Sequence, residues 1–351
     1  MTPVKLAVIG IGLIGSRHAE LIRSHSQCQL VGVCDTDPGR KPIAEKLAVP
    51  FYRDAEEMLA QTRPEGAIIA TPTAQHAVSM AICARHGVHA LIEKPIADTV
   101  EAAQRIVALS QATGTRVLVG YHRRHNPLVR EARAIVAGGD IGRLVAVSVL
   151  WALMKPADYY DTEWRTKRPG GGLTLINLVH DLDTLRYICG EITQVFAYTS
   201  STTRGLEVED SVSISLTFQN GAVGSVLASD TTVAPWSYEA TTQENPYYFH
   251  AAENCYYFLG SAGSLAFPKM EIWKYVDERR RGWQHVMQKS VREVVLADPL
   301  VAQLRHFCNV VRGTQSPIVD SRDGARSLAV ALAVLESSAT NCPVALPALE
   351  A

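Results

Sequence analysis

The chain has 351 residues, 47% of them hydrophobic and 20% charged, enough to bury the cores of two domains without a disulfide or metal framework. A formal charge of −1 leaves no basic excess for a nucleic-acid partner, and no apolar run reaches the ~20 residues that a membrane helix needs. Seven cysteines without a C-x-x-C pair, and an N-terminus that runs straight into a strand pattern, point to a reducing compartment and a cytoplasmic location.

Residues 1–122 alternate short apolar runs at 5–9, 30–34, 66–70, 88–92 and 117–119 with helical patterns at 13–24, 38–47, 74–86 and 99–112. Strands this short, separated by helices, imply βαβ units and a doubly wound parallel sheet. After Pro127 the pattern changes. A helix over 128–137 stops at Gly138-Gly139, and alternating runs follow at 144–153, 195–203, 211–218, 222–230 and 264–272. Alternation marks strands with one wet face, so residues 123–351 are expected to form an α+β domain on a large open, mostly antiparallel sheet. Helical patterns lie at 173–188, 300–312 and 321–338, with Asp320 placed to cap the last. Sheet face left uncovered by helices can pair with a second copy, so a homo-oligomer is expected.

Gly10-Ile11-Gly12-Leu13-Ile14-Gly15 stands between the run 5–9 and the helix that opens at 13. In that setting the three glycines read as a dinucleotide-binding turn: one for the bend, one for close approach of the pyrophosphate, one for helix–strand packing. Asp35 ends the second strand 20 residues past Gly15, where a carboxylate accepts hydrogen bonds from the adenosine ribose and repels a 2′-phosphate. NAD is therefore expected over NADP, with Thr36 and Arg40 as the residues that can oppose that preference. Asp35 also suits a plain turn in Asp35-Thr36-Asp37-Pro38. Thr71 and Pro72 follow the third long run on the ligand side of the sheet, and His76 either caps the next helix or touches the cofactor. Glu93-Lys94-Pro95 follows the run 88–92, which puts Lys94 at the carboxyl end of a strand, near the nicotinamide. A lysine there can stabilise a developing alkoxide and pass a proton.

Tyr121, His122 and Arg123 come after the last strand of the first domain, where the two domains should meet, and are candidates for substrate contact. His122 and His125 have no cysteine or carboxylate partner, so no metal is expected. Trp164, Arg165 and Trp236 are candidate walls for a sugar ring or an aromatic diol.

The glycine turn, Ala70-Thr71-Pro72, Glu93-Lys94-Pro95 and the segment from Gly170-Gly171-Gly172 through His180 to Asp183 together resemble the glucose–fructose oxidoreductase/inositol dehydrogenase/rhizopine catabolism (Gfo/Idh/MocA) family. The resemblance covers nearly the whole chain. It implies a Rossmann domain, a C-terminal domain on an open sheet, and NAD(P)-dependent oxidation or reduction of a small polyol, sugar or related cyclic alcohol. It matches Lys94 to the family's catalytic lysine and His180 to its acid/base histidine. Many members carry an aspartate four residues before that histidine. Here the place is Ile176, and Asn177, one position on, would face about 100° away on an α-helix. Alternatives within the family are a dihydrodiol dehydrogenase and an NAD-dependent glycosidase; outside it, a non-catalytic dinucleotide sensor.

Overall fold

The computed structural model describes residues 2–347. Contacts divide it into two units. One holds the described residues up to His122 together with Leu300–Leu328; the other holds Arg123–Pro299 and the described residues from Ala329 on.

In the first unit β1 (Val4–Ile9), β2 (Cys28–Cys34), β3 (Phe51–Tyr52), β4 (Gly66–Ile69), β5 (His89–Ile92) and β6 (Val117–Val119) form a wholly parallel sheet in the order β3-β2-β1-β4-β5-β6. Helices α1 (Leu13–Ser24), α2 (Lys41–Leu47), α3 (Ala55–Thr62), α4 (His76–Arg85) and α5 (Val100–Thr113) connect the strands. Every residue of β4 is buried, as is all of β1 except Lys5, which is why they read as unbroken apolar runs and not as alternation. The strand order reverses between β1 and β4, so their carboxyl ends open the crevice in which such sheets bind ligands. Helix α3 was not legible as a pattern because only Met58 and Leu59 of its eight residues are buried. Asp54 caps it instead, accepting from the Glu57 N–H at 2.9 Å.

The second unit opens with α6 (Pro127–Ala137) and is built on nine strands: β7 (Leu144–Ala152), β8 (Ile192–Ser200), β9 (Ser211–Phe218), β10 (Val223–Ser229), β11 (Tyr256–Gly260), β12 (Ser264–Phe267), β13 (Glu271–Tyr275), β14 (Met287–Val291) and β15 (Val344–Ala345). Their order is β14-β13-β12-β11-β7-β10-β9-β8-β15. All pairs are antiparallel except β7 with β10, at the centre. Along β9, Val212, Ile214, Leu216 and Phe218 are buried while Ser213 and Ser215 are exposed, the alternation of a half-wet sheet. The run 264–272 is two strands, not one: Met270 takes a left-handed backbone (φ 54°) and the chain reverses between Phe267 and Glu271. Helices α7 (Val179–Cys189) and α8 (Tyr238–Thr241) complete this unit, and no described helix is long and apolar enough to cross a membrane.

Helix α9 (Pro299–Arg312) and the start of α10 (Ser321–Thr340) return to the first unit. A second domain running unbroken from 123 to 351 therefore does not form. Leu304, Phe307, Cys308 and Val311 of α9 share one core with Val4, Leu6, Ile22, Leu30 and Ile68. Gly66 makes room for them: a Cβ there would lie 3.1 Å from the Phe307 ring. Asp320 does cap α10, accepting from the Asp323 N–H at 2.8 Å.

If α9 is part of the first unit's core, Phe307→Ala should lower unfolding free energy by about 3–5 kcal/mol. Guanidinium unfolding of the full chain measures it; a loss below about 1 kcal/mol would make α9 peripheral.

Candidate active site

The three glycines of the β1–α1 turn have different duties. Gly10 stands at φ +87°, and a Cβ there would lie 2.7 Å from the Ala70 backbone. At Gly15 a Cβ would lie 1.9 Å from the Gly10 carbonyl oxygen. Both are demanded by the protein's own packing. A Cβ on Gly12 would meet nothing within 4 Å. Gly12 is the N-cap of α1 and offers no side-chain cap, so it leaves bare N–H groups and open space, which is what a pyrophosphate requires. Leu13 and Ile14 are exposed beside it, whereas the Ile11 side chain is fully buried.

The Ile11 N–H donates to Asp35 Oδ2 at 2.9 Å and the Asp37 N–H to Asp35 Oδ1 at 3.0 Å. These two donors orient the carboxylate and leave lone pairs for ribose hydroxyls. Thr36 is exposed. Arg40 is drawn to Asp37 at 3.6 Å. Arg53, a cation without a sequence signal, approaches the Thr36 carbonyl at 3.4 Å.

At the ends of β4 and β5, Thr71 Oγ1 is buried with no protein partner, an open hydroxyl beside the glycine turn that fits a bound dinucleotide. Pro72 is exposed after it. His76 neither caps α4 nor faces outward. It is buried, with Nε2 3.0 Å from the Thr71 carbonyl oxygen and Nδ1 3.1 Å from that of Pro95. Glu93 is also buried and takes its hydrogen bonds from the protein: His18 Nε2 lies 2.7 Å from Oε1, and the Lys94 N–H donates to Oε2 at 3.2 Å. Burial pushes the Glu93 carboxyl up, but His18 and Lys94 more than offset this and hold it below its ordinary value, with His122 adding to the pull. His76 and Glu93 thus both take protein partners at the ends of these strands. Tyr121 is buried to the same degree.

In the second unit His180 lies in the first turn of α7 and is largely buried. The stretch before it, Thr174–Leu178, is a π-helical turn, so the α-helical spacing by which Ile176 takes the aspartate's place relative to His180 does not hold there. Asn177 Oδ1 is buried with no protein partner. The glycine run serves this turn. Gly172 stands at φ +96°, and a Cβ there would lie 2.7 Å from Glu209 Oε1, which accepts the Thr174 N–H at 2.8 Å and caps the helical stretch. A Cβ on Gly171 would lie 2.6 Å from the Arg165 carbonyl oxygen.

Arg123 is not free for substrate. Its guanidinium lies 3.0 Å from Asp181 Oδ1 and 2.7 Å from Glu239 Oε1, over the Tyr238 ring at 3.8 Å. Burial opposes its charge, but the two carboxylates hold it protonated. Burial pushes Asp181 up to about 6 against the pull of Arg123; Tyr256 also donates to it. Glu239 further accepts the Trp151 Nε1–H at 2.9 Å. Asp183, on α7, is held by Arg124 at 2.6 and 2.9 Å. A second buried cluster sets Lys155 3.1 Å from Asp230, which also takes Tyr160 and Arg204. Arg165 stacks 4.1 Å from the Tyr159 ring centre, and Trp164 and Trp236 are exposed. Among the described residues no three His, Cys, Asp or Glu side chains group as a metal site requires.

A parallel sheet of this order, with a glycine turn, an oriented acid after β2 and a lysine after β5, defines a dinucleotide-binding Rossmann oxidoreductase domain, here joined to an open-sheet unit. The chain belongs to the Gfo/Idh/MocA family: residues 4–121 match its oxidoreductase domain with NAD-binding Rossmann fold, and residues 129–266 its C-terminal domain. It is 26% identical to scyllo-inositol 2-dehydrogenase (NAD(+)) of Bacillus subtilis (strain 168), over 98% of this chain and 96% of that one. To 1,5-anhydro-D-fructose reductase of Ensifer adhaerens it is 29% identical, over 81% and 80%. The WlbA dehydrogenase from Bordetella pertussis, solved in complex with NADH and UDP-GlcNAcA, is similar with a TM-score of 0.80 at 25% identity, covering 99% of this chain and 100% of that one.

The glycines separate stability from binding. Gly12→Ala should change unfolding free energy by less than about 0.5 kcal/mol yet weaken NAD binding about tenfold, ~1.4 kcal/mol. Gly15→Ala should cost about 1–3 kcal/mol of stability or more by overpacking. Denaturation and fluorescence titration with NAD read the two effects; equal destabilisation by both would refute the division.

Proposed function

We propose that the chain is an NAD-dependent dehydrogenase acting on a CH–OH group of a small polyol, sugar or related cyclic alcohol. NAD, when bound, supplies the hydride acceptor. Gly12, the α1 N-terminus and Asp35 hold its phosphates and ribose. Asp35 favours NAD over NADP, and the pairing of Arg40 with Asp37 supports that preference by engaging one cation that could otherwise meet a 2′-phosphate. Lys94 steadies the negative charge that develops on the substrate oxygen, and His180 in its neutral form takes the hydroxyl proton. Asn177, with an unspent acceptor, holds a substrate hydroxyl in place of the aspartate that Ile176 replaces. His122, Trp164, Arg165 and Trp236 line the substrate.

The observation that carries this reading is Lys94 at the carboxyl end of β5, the edge at which open α/β sheets bind ligands, with its N–H fixed by Glu93. Names among the relatives, an inositol dehydrogenase and an anhydrofructose reductase, supply the substrate class. Seven free thiols, six of them buried, support a reducing, cytoplasmic setting.

Absorbance of NADH with a panel of polyols, sugars and cyclic diols tests the reading. On the substrate so found, Lys94→Ala and His180→Asn should each lower kcat about 10²–10⁴-fold with NAD affinity little changed. Near-full kcat in either variant removes that residue from the chemistry, and NAD binding without any turnover would make the chain a sensor.

The second unit also carries the proposed oligomer contact. Register puts Tyr198, Ser213 and Leu227 in one cross-strand row, and Tyr257, Ser148, Ser225 and Ser215 in another, all on one sheet face. Tyr198, Val223, Leu227, Tyr257 and Leu259 are exposed there. A flat face of large apolar and small hydroxyl side chains suits a second copy of itself. Leu227→Glu should shift the sedimentation coefficient to that of a monomer; an unchanged value would put the contact elsewhere.

A further inference from the structure

A lysine side chain is long and flexible, so its use in proton handling depends on how firmly its backbone is set. Two buried histidines grip the backbone on either side of Lys94. His18 belongs to α1, the helix that opens at the glycine turn, and is 1% exposed. Its Nε2 lies 2.7 Å from Glu93 Oε1, while Glu93 Oε2 accepts the Lys94 N–H at 3.2 Å. Glu93 fits because residue 120 is glycine: a Cβ there would lie 3.1 Å from Oε2 and 3.2 Å from the Glu93 Cα. On the other side, His76 Nδ1 lies 3.1 Å and 3.3 Å from the carbonyl oxygens of Pro95 and Ile96, and its Nε2 reaches the Thr71 carbonyl.

Both rings are buried and engaged with protein partners. A buried His–Glu pair contributes little net stability over an apolar pair of the same size, because desolvation offsets the attraction. What the arrangement supplies is position. The carboxylate is bonded at both oxygens, one to the dinucleotide helix and one to the peptide of the lysine. The helix that receives the phosphates is thereby registered against the residue that handles the proton.

We propose that His18, acting through Glu93, is a positioning residue that fixes Lys94 relative to the dinucleotide helix, with His76 holding the segment that follows. This rests on the reading of Lys94 as a proton-handling group, and the test separates the two. The variants are His18→Leu, His18→Gln, Lys94→Ala and the double variant His18→Leu with Lys94→Ala, all in the full chain with NAD. Displacement of a catalytic group by an ångström can cost about 10²-fold, so His18→Leu, which loosens but does not remove Lys94, should lower kcat about tenfold. The Kd for NAD should change less than about threefold, since the glycine turn and Asp35 are untouched. His18→Gln, whose amide can still donate to Glu93 from near the Nε2 position, should recover most of kcat. In the Lys94→Ala background the His18→Leu penalty should fall to near unity, because a residue acting through the lysine has nothing left to act through. An equal penalty in both backgrounds, or full kcat in His18→Leu, overturns the proposal. Near-full kcat in Lys94→Ala overturns the reading of Lys94 and the proposal with it, and is read from that variant alone. Should His18→Leu fail to fold, His18→Asn, whose amide is too short to reach Glu93, replaces it against His18→Gln with the same outcomes.

Discussion

A helix can lie against a turn at backbone contact only where no Cβ intervenes, and the first unit depends on that contact at Gly15. With the Gly10 carbonyl 1.9 Å from where a Cβ would be, α1 sits closer to the end of β1 than any side chain at residue 15 would allow. The consequences run outward. Gly12 opens the helix N-terminus to an anion, the Ile11 N–H reaches Asp35, and His18, farther along the helix, comes within hydrogen-bond distance of Glu93 just after β5. One close approach thus brings the helix N-terminus, Asp35 and Glu93 into register with one another.

The second unit is organised by a different constraint, the burial of charge. Arg123 joins two separate segments through Asp181 of α7 and Tyr238 and Glu239 of α8, and none of its partners is near it in sequence. Removing one member would strand a desolvated charge, so the network holds as a whole or not at all. Asp181 is the residue next to His180, so this network is bonded to the first turn of α7. Glu209 does the same for the π-helical stretch before it.

What was legible in the sequence follows from these two cases. The parallel sheet, the glycine turn and Asp35 could be read because each is local: apolar runs of strand length, glycines at fixed spacing, an acid at a strand end. The open sheet was legible wherever its strands alternate, as in β9, and illegible where a strand is very short or exposed throughout, as in β15 and β14. Periodicity identified α9 as a helix but not the sheet it covers, since an apolar face does not name its partner. Arg123 looked like a ligand-binding residue because its position after β6 was visible and its carboxylates, far along the chain, were not. His18 carried no signal at all: a histidine on the buried side of a helix has meaning only once Glu93 is seen opposite.

The central strand pairing has a consequence for how the chain is made. β7 is hydrogen-bonded on one side to β10 and on the other to β11, with Ala146 opposite both Val223 and Leu259. During synthesis β7 leaves the ribosome long before either neighbour exists, carrying an apolar run from Leu144 to Ala152 with both edges bare. Pairings this distant in sequence close slowly, because the loop entropy must be spent before any contact is gained. The nascent chain therefore passes through an interval in which a long, largely apolar strand is exposed, and demand for chaperone protection should be concentrated there rather than on the first unit, most of whose sheet can form from neighbouring segments as they emerge.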